Sequence, residues 1–350
     1  MKTKEIRRRI LHKKPELVLG PNDFVSTGST MLNLACTDHP DRGFAKGHYY
    51  LVVGTSRSGK TWLSLSCLAE AANNKNFDEH LFVYNNVERG ALMNIPRFFG
   101  KKVAKRLKVT HSYRIEDFYD HFDKVINRGV PVIYILDSMD ALTSEQEIKT
   151  FSKQRKAREG EEKTAGSYGD GKAKINSQNL RRAINPLEKS GSILIIINQT
   201  RDKLGSFVGG KTHSGGNALR FYATLELWSD IKTQIKKTYK GKPRLQGVLC
   251  TLRVRKNRIT GKDRIIEMPI YNTYGMDDIG SCIEYLIAEK HWKGSKGNVE
   301  APEFDFSGRQ SSLIKLISNK GMERDLGMIA ADVWKEIEDA VAIKRKPRYV

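Results

Sequence analysis

Gly54-Thr55-Ser56-Arg57-Ser58-Gly59-Lys60-Thr61 is a complete GxxxxGK[ST] phosphate loop, and its surroundings decide the fold. Ahead of it, His48-Tyr-Tyr-Leu-Val-Val-Gly54 is a short apolar run that reads as a buried strand. Behind it, Trp62, Leu63, Cys67, Leu68 and Ala71 recur at helical spacing. The chemistry needs strand, loop and helix in that order. Glycines let successive backbone N–H groups curl around a polyphosphate, Lys60 reaches the terminal phosphates, and the Thr61 hydroxyl joins a Mg²⁺ shell. The helix N-terminus adds its positive end to the anion site. A Gly/Ser-rich turn that binds nothing is the plainer reading, but the full motif in context favours a nucleoside-triphosphate site.

At 350 residues the chain is long enough for one large α/β core and a smaller appendage. No apolar run of about 18 residues occurs, so no membrane-spanning helix is expected. The N-terminus is too charged, and lacks the apolar middle, for a secretory signal. Cys36, Cys67, Cys250 and Cys282 lie among apolar residues without metal-ligand spacing and read as buried free thiols in a reducing compartment. The net charge of +21 is unevenly placed. Residues 1–20 hold seven Lys/Arg against two Glu, residues 231–264 hold twelve against one Asp, and Lys344-Arg-Lys-Pro-Arg348 is basic as well. Such a field favours polyanions, nucleic acid first and a membrane surface second.

Residues 25–137 alternate strand and helix patterns. His80–Asn86 and Val132–Asp137 read as buried strands, and Ile115 to Asn127 has helical periodicity. This alternation predicts an α/β fold, a mostly parallel twisted sheet with helices on both faces. From Thr143 to Lys174 the pattern breaks into a long charged loop with some helix inside. Helical spacing resumes from Asn176 to Glu188, where Pro186 is expected to kink or end it. Ser192–Asn198 is a third buried strand, followed by a Gly-rich polar segment, Thr200 to Gly216. In residues 223–270 the period becomes 2: Val248, Cys250, Leu252 and Val254 alternate with Leu249, Thr251, Arg253 and Arg255, which predicts an antiparallel extension of the sheet. Three helix candidates follow from about Asp278. Domain bounds are set at 1–24 for a basic N-terminal arm, 25–285 for the core with loops near 143–175 and 200–216, and 286–350 for a small helical domain with a basic tail.

Asp137 closes a run of five apolar residues, and an acid there beside a phosphate loop would join Thr61 in the Mg²⁺ shell; a turn-initiating Asp is the alternative. Glu88 follows the strand ending at Asn86. In a parallel sheet the strand carboxyl ends converge on the nucleotide, so Glu88 is placed to orient and deprotonate an attacking water, or else simply starts a helix. Gln199 ends the third strand just before the second loop. Its amide can bond a γ-phosphate and report hydrolysis to that loop.

Together these residues resemble the RecA-type DNA recombinases. The resemblance rests on Val25-Ser-Thr-Gly28-Ser29, the phosphate loop, Glu88, Leu136-Asp137-Ser138, Ile197-Asn198-Gln199, Gly215-Gly-Asn-Ala-Leu-Arg-Phe-Tyr-Ala223 and the basic Arg255-Lys256-Asn257-Arg258, over about residues 20–290. The degree of divergence is similar to that of recombinases carried by bacteriophages. The resemblance implies a DNA-dependent ATPase using ATP and Mg²⁺, with Glu88 as catalytic base and Gln199 as γ-phosphate sensor. It makes Lys256 and Arg258 a basic pair reaching a neighbouring subunit's ATP, and puts Tyr274 beside the nucleotide base. The two loops become DNA-binding segments: Arg201, Lys203, Lys211 and His213 for phosphates with Phe207 as an apolar tip, and Lys153, Arg155, Lys156, Arg158, Lys172 and Lys174 in the first, with Arg181 and Arg182 as further contacts. The implied partners are single-stranded DNA, homologous duplex and further copies in a helical filament docked by the N-terminal arm. Single-strand-binding and mediator proteins are possible partners too. A cytoplasmic, nucleoid-associated location follows. The chain departs from the family pattern at Asn86, where many relatives have an acid, and in its strong positive charge and basic tail.

Two other readings stay open from the sequence. One is a ring-forming hexameric helicase or translocase sharing the core. The other is a DNA-binding or annealing protein whose nucleotide site is regulatory.

Overall fold

The structure is a computed structural model that describes residues 19–89, 93–158, 171–202, 211–346 and 348, without the side chains of 157, 158, 202 and 211. Residues 1–18 of the N-terminal arm, Lys203 and Phe207 therefore lie outside the described residues.

The described residues form a ten-stranded sheet. Its strands are β1 (Tyr49–Gly54), β2 (Leu81–Asn86), β3 (Leu107–Thr110), β4 (Val132–Asp137), β5 (Ile193–Asp202), β6 (Lys211–His213), β7 (Leu225–Tyr239), β8 (Lys242–Asn257), β9 (Arg264–Tyr271) and β10 (Gly275–Met276). The order is β10-β9-β8-β7-β1-β5-β4-β2-β3, with β6 paired to β5. From β7 to β3 the neighbours are parallel; from β7 to β10 they are antiparallel. The sequence thus predicted the fold class, a parallel sheet with an antiparallel extension.

Alternation along the buried strands sends side chains to two cores. Tyr50 and Val52 of β1, with Ile133, Ile135, Ile195 and Ile197, face the helices Thr30–Thr37 and Lys60–Asn73. Tyr49, Leu51 and Val53, with Tyr134, Leu136, Leu194 and Ile196, face the helices Ile115–Ile126 and Gly171–Ser190. Burial on both faces is why these strands read as continuous apolar runs.

The structure differs from expectation in places. Helix Gly171–Ser190 begins earlier than Asn176 and runs through Pro186 without ending. Leu180 and Leu187 are buried on either side of the proline, so packing holds a turn that has lost one backbone hydrogen bond. A second helix, Glu145–Arg158, forms in the charged stretch before it. Beyond helix Asp278–Ala288 a three-stranded antiparallel sheet (Lys293–Ser295, Asn298–Ala301, Phe306–Arg309) precedes helices Gln310–Lys320 and Glu323–Val341. The apolar stripes of those helices, Leu313, Ile317, Leu326, Ala330 and Trp334, enter the same core cluster as β1 and helix Thr30–Thr37. Arg264 of β9 clamps this junction, 2.6 Å from both Asp38 and Glu338.

Candidate active site

β1 ends against β7 and β5, with Gly54 in register with Ser229 on one side and Gln199 on the other. The contact is too close for a side chain: a Cβ on Gly54 would lie 2.3 Å from the Ser229 carbonyl oxygen. The loop then turns on hydrogen bonds from Ser58 N and Ser58 Oγ to the Thr55 carbonyl, 3.3 and 2.8 Å. Gly59 enters the helix at φ +85°, and a Cβ there would come within 2.1 Å of Ile270 Cδ1. Lys60, buried, folds back to donate to the carbonyls of Gly54 (2.9 Å) and Thr55 (2.6 Å). Burial pulls its pKa down, against the opposing pull of Asp137 and Glu88.

Parallel register brings the other strand ends to the same edge, with Asn86 beside Asp137. Thr61 Oγ1 donates to Asp137 Oδ2 at 2.7 Å, and Tyr84 OH donates to the same oxygen at 2.9 Å. Burial pushes the Asp137 carboxyl above its ordinary value, while those two hydrogen bonds work the other way. Hydroxyl and carboxylate are hard oxygen donors, and no group of three or more His, Cys, Asp or Glu assembles among the described residues. That donor set fits Mg²⁺, which keeps several waters and takes its remaining ligands from phosphate, better than an all-protein cage.

Glu88 sits where strands β2, β4 and β5 meet. Its Oε1 accepts from Ser138 Oγ at 2.7 Å and from Gln199 Nε2 at 2.8 Å. Asn86, the departure from the family pattern, is buried with no partner for its side-chain oxygen among the described residues, while its carbonyl oxygen lies 2.8 Å from His111 Nδ1. Tyr84 and Asp140 are site residues that the sequence reading did not single out, and Ser138 entered it only within the Leu136-Asp137-Ser138 motif. Their only signal was position: each lies within three residues of Asp137 or on the strand paired with β4.

Lys256 and Arg258 lie elsewhere. Glu226 of β7 pairs with both Leu51 and Lys256, so Lys256 is level with the start of β1, whereas the phosphate loop leaves its end. Lys256 Nζ donates to the carbonyls of Arg220 (2.7 Å) and Phe221 (2.8 Å), and Arg258 Nη2 to that of Phe221 (2.8 Å), at the end of helix Asn217–Tyr222. Burial and then the Arg258 charge lower the Lys256 pKa to about 8. Tyr274 is exposed and lines a cleft of about 410 Å³ with Trp62, Ser66, Arg97 and Phe98, beside the helix that follows the phosphate loop.

Of the expected DNA contacts, Lys153, Arg155, Lys156, Lys174, Arg181, Arg182 and Arg201 are exposed. Lys172 is mostly covered and lies 3.5 Å from Glu147. Arg158 closes its helix and Lys211 opens β6, neither with a described side chain. His213 is half-buried, its Nδ1 3.3 Å from Asn198 Nδ2. All four cysteines are free and buried. No helix among the described residues is long and apolar enough to cross a membrane.

Residues 19–277 match the model of the RecA N-terminal domain. The chain is 29% identical over 272 residues to Protein RecA of Cytophaga hutchinsonii, covering 74% of this chain and 67% of that relative. It is 30% identical over 290 residues to Protein RecA of Prochlorococcus marinus strain MIT 9211, covering 81% and 71%. With Protein RecA of strain NATL1A the match is 28% over 327 residues, covering 92% and 80%.

Proposed function

The chain belongs to the RecA family of recombination and repair proteins, and from that membership we propose that it is a DNA-dependent ATPase that polymerises on single-stranded DNA and carries out homologous pairing and strand exchange. The observation that carries the reading is Glu88, held by Ser138 and Gln199 at the strand edge that also bears the phosphate loop.

ATP enters with its phosphates over Gly54–Thr61, and Lys60 leaves the Gly54 and Thr55 carbonyls for the β- and γ-phosphates. Thr61 and Asp137 would hold a Mg²⁺ ion, which would supply positive charge against that developing on the phosphates. Glu88 takes a proton from water as the water oxygen bonds to the γ-phosphorus; the bond from that phosphorus to the bridging oxygen breaks, leaving ADP and inorganic phosphate. Gln199 exchanges its Glu88 contact for the γ-phosphate when ATP is bound. Tyr274 and its cleft take the base.

Lys256 and Arg258 lie level with the opposite edge of the sheet from their own phosphate loop, which favours action on a neighbouring copy's nucleotide. Added positive charge there stabilises the transferring phosphoryl group and ties turnover to assembly. A head-to-tail contact that does not close gives an open helix, which single-stranded DNA would thread past the segments around 143–175 and 200–216. The single-strand-binding or mediator proteins that would load such a filament, and a cytoplasmic, nucleoid-associated location, belong to the same reading.

Negative-stain images with single-stranded DNA and a non-hydrolysable ATP analogue test the assembly. Open filaments are expected; closed six-membered rings would assign the chain to the motor reading. Pairing of circular single strands with linear duplex tests the activity. DNA-stimulated hydrolysis lost in Glu88→Gln with DNA binding retained excludes a merely regulatory nucleotide site.

A further inference from the structure

We propose that Asp140 is a positioning residue that couples the nucleotide end of β5 to the DNA-facing segment after it; the inference rests on the reading of Glu88 and Gln199 given above. Asp140 lies in the short turn Met139–Ala141, directly after Asp137 and Ser138. Its side chain is only 9% exposed. One carboxylate oxygen, Oδ2, accepts from the backbone N–H of Gln199. The other, Oδ1, accepts from Ser214 Oγ and lies 3.5 Å from Arg201 Nη2. Gln199 is the residue whose amide holds Glu88. Arg201 on β5 and Ser214, directly after β6, stand on either side of residues 203–210, and the two strands are joined by the pairs Thr200 with His213 and Arg201 with Thr212.

Ser214 and its neighbour are themselves anchored. Asn198 Nδ2 donates to the Ser214 carbonyl and Asn176 Nδ2 to the Gly215 carbonyl, both at 2.8 Å. Tyr119 OH in turn donates to Asn176 Oδ1 at 2.8 Å. The Asp140 carboxylate is therefore the common partner of three groups: the backbone of the γ-phosphate sensor, the first cation of the second DNA-facing segment and the hydroxyl at its far end.

A carboxylate only accepts, and a mostly buried one is costly to leave without donors. When the Gln199 side chain leaves Glu88 for a γ-phosphate, its backbone N–H shifts on Asp140, which draws more on Ser214 and Arg201. When a DNA phosphate takes Arg201, Asp140 loses that cation and holds Gln199 and Ser214 instead. Each ligand thus biases the same carboxylate between two sets of partners, the kind of shared two-state element that energetic coupling requires. The sequence reading passed over this acid because it follows the strand-end Asp137 by three residues inside a turn.

Thermodynamic linkage gives a test that loss of rigidity alone does not imitate. The factor by which a non-hydrolysable ATP analogue tightens single-stranded DNA binding must equal the factor by which DNA tightens analogue binding. Asp140→Asn keeps the volume but replaces an accepting oxygen with a donating amide. We expect it to cut that factor by about tenfold or more, measured in either direction. Ser214→Ala should cut it by less, and the double variant should be no worse than Asp140→Asn alone, because the two act through one contact. If Asp140→Asn couples as the wild type does, or if the two substitutions simply add, the inference is overturned. Should Asp140→Asn fail to fold, Ser214→Ala with wild-type coupling overturns it as well. No coupling in the wild type would instead count against the functional reading itself, so the two failures are distinguishable.

Discussion

The Gln199 amide donates to Glu88 Oε1 at 2.8 Å, so the proposed γ-phosphate sensor holds the proposed water-activating residue. Glu88→Gln should lower DNA-stimulated turnover by about 10²–10⁴-fold, the range expected for removing a general base. ATP-analogue and DNA binding should persist. A variant that still turns over ATP at the wild-type rate removes Glu88 from the chemistry.

Tyr84 is on β2, three strands from β1 and its phosphate loop, yet its hydroxyl donates to the Asp137 oxygen that also receives Thr61. Partners that orient a metal-holding group typically affect metal affinity by about 10–100-fold. Tyr84→Phe should therefore raise the Mg²⁺ concentration for half-maximal turnover by about tenfold. Turnover at saturating Mg²⁺ should move little. A Mg²⁺ titration overlaying that of the wild type would show that the hydroxyl does not support the site.

Lys256 gives a pH dependence of defined sign. Burial and the Arg258 charge lower its pKa to about 8, so the free protein loses this charge as pH rises through that value. DNA-stimulated turnover at subsaturating protein should fall from pH 7 to pH 9 by about tenfold, as expected for loss of a group with that pKa. Lys256→Arg should flatten this limb, because a guanidinium stays charged throughout the range. A limb that persists in Lys256→Arg assigns the titration to another group.

The Arg264 clamp makes a stability prediction. Arg264 lies 2.6 Å from both Asp38 and Glu338, and the guanidinium is nearly covered while the carboxylates are partly exposed. Arg264→Ala should cost about 2–3 kcal/mol, less than a fully buried pair because water can reach the acids left behind. Denaturant unfolding measures this. A loss under about 0.5 kcal/mol would mark the clamp as a surface pair.

The parts of the fold that were legible in the sequence are those with a strong local signal. Runs such as Val132–Asp137 and Ile193–Asn198 are buried on both faces and could hardly be anything but parallel strands. The phosphate loop needs two glycines, a lysine and a hydroxyl at fixed spacing, so it announces itself. The small sheet near the C-terminus did not. Lys293-Gly-Ser295 is an exposed three-residue strand without alternation, recognisable only by its pairing with Asn298–Ala301. The sequence places a helix over Asn176–Glu188 but expects Pro186 to kink or end it, a local penalty that Leu180 and Leu187 packing overrides within Gly171–Ser190. In the site, strand ends told which residues share an edge. They did not tell that Tyr84 and Ser138 would turn their hydroxyls onto Asp137 and Glu88, since that depends on rotamers and on strand order.

The claim on which the mechanism turns is that one copy's Lys256 completes another copy's site. Protomers carrying Lys60→Ala and protomers carrying Lys256→Ala should each be nearly inactive alone on single-stranded DNA. Mixed in equal amounts, random head-to-tail order places an intact phosphate loop against an intact Lys256 at about a quarter of interfaces. DNA-stimulated turnover should then recover toward about a quarter of the wild-type value. A mixture that hydrolyses ATP no faster than the sum of its two components contradicts a site shared between neighbours.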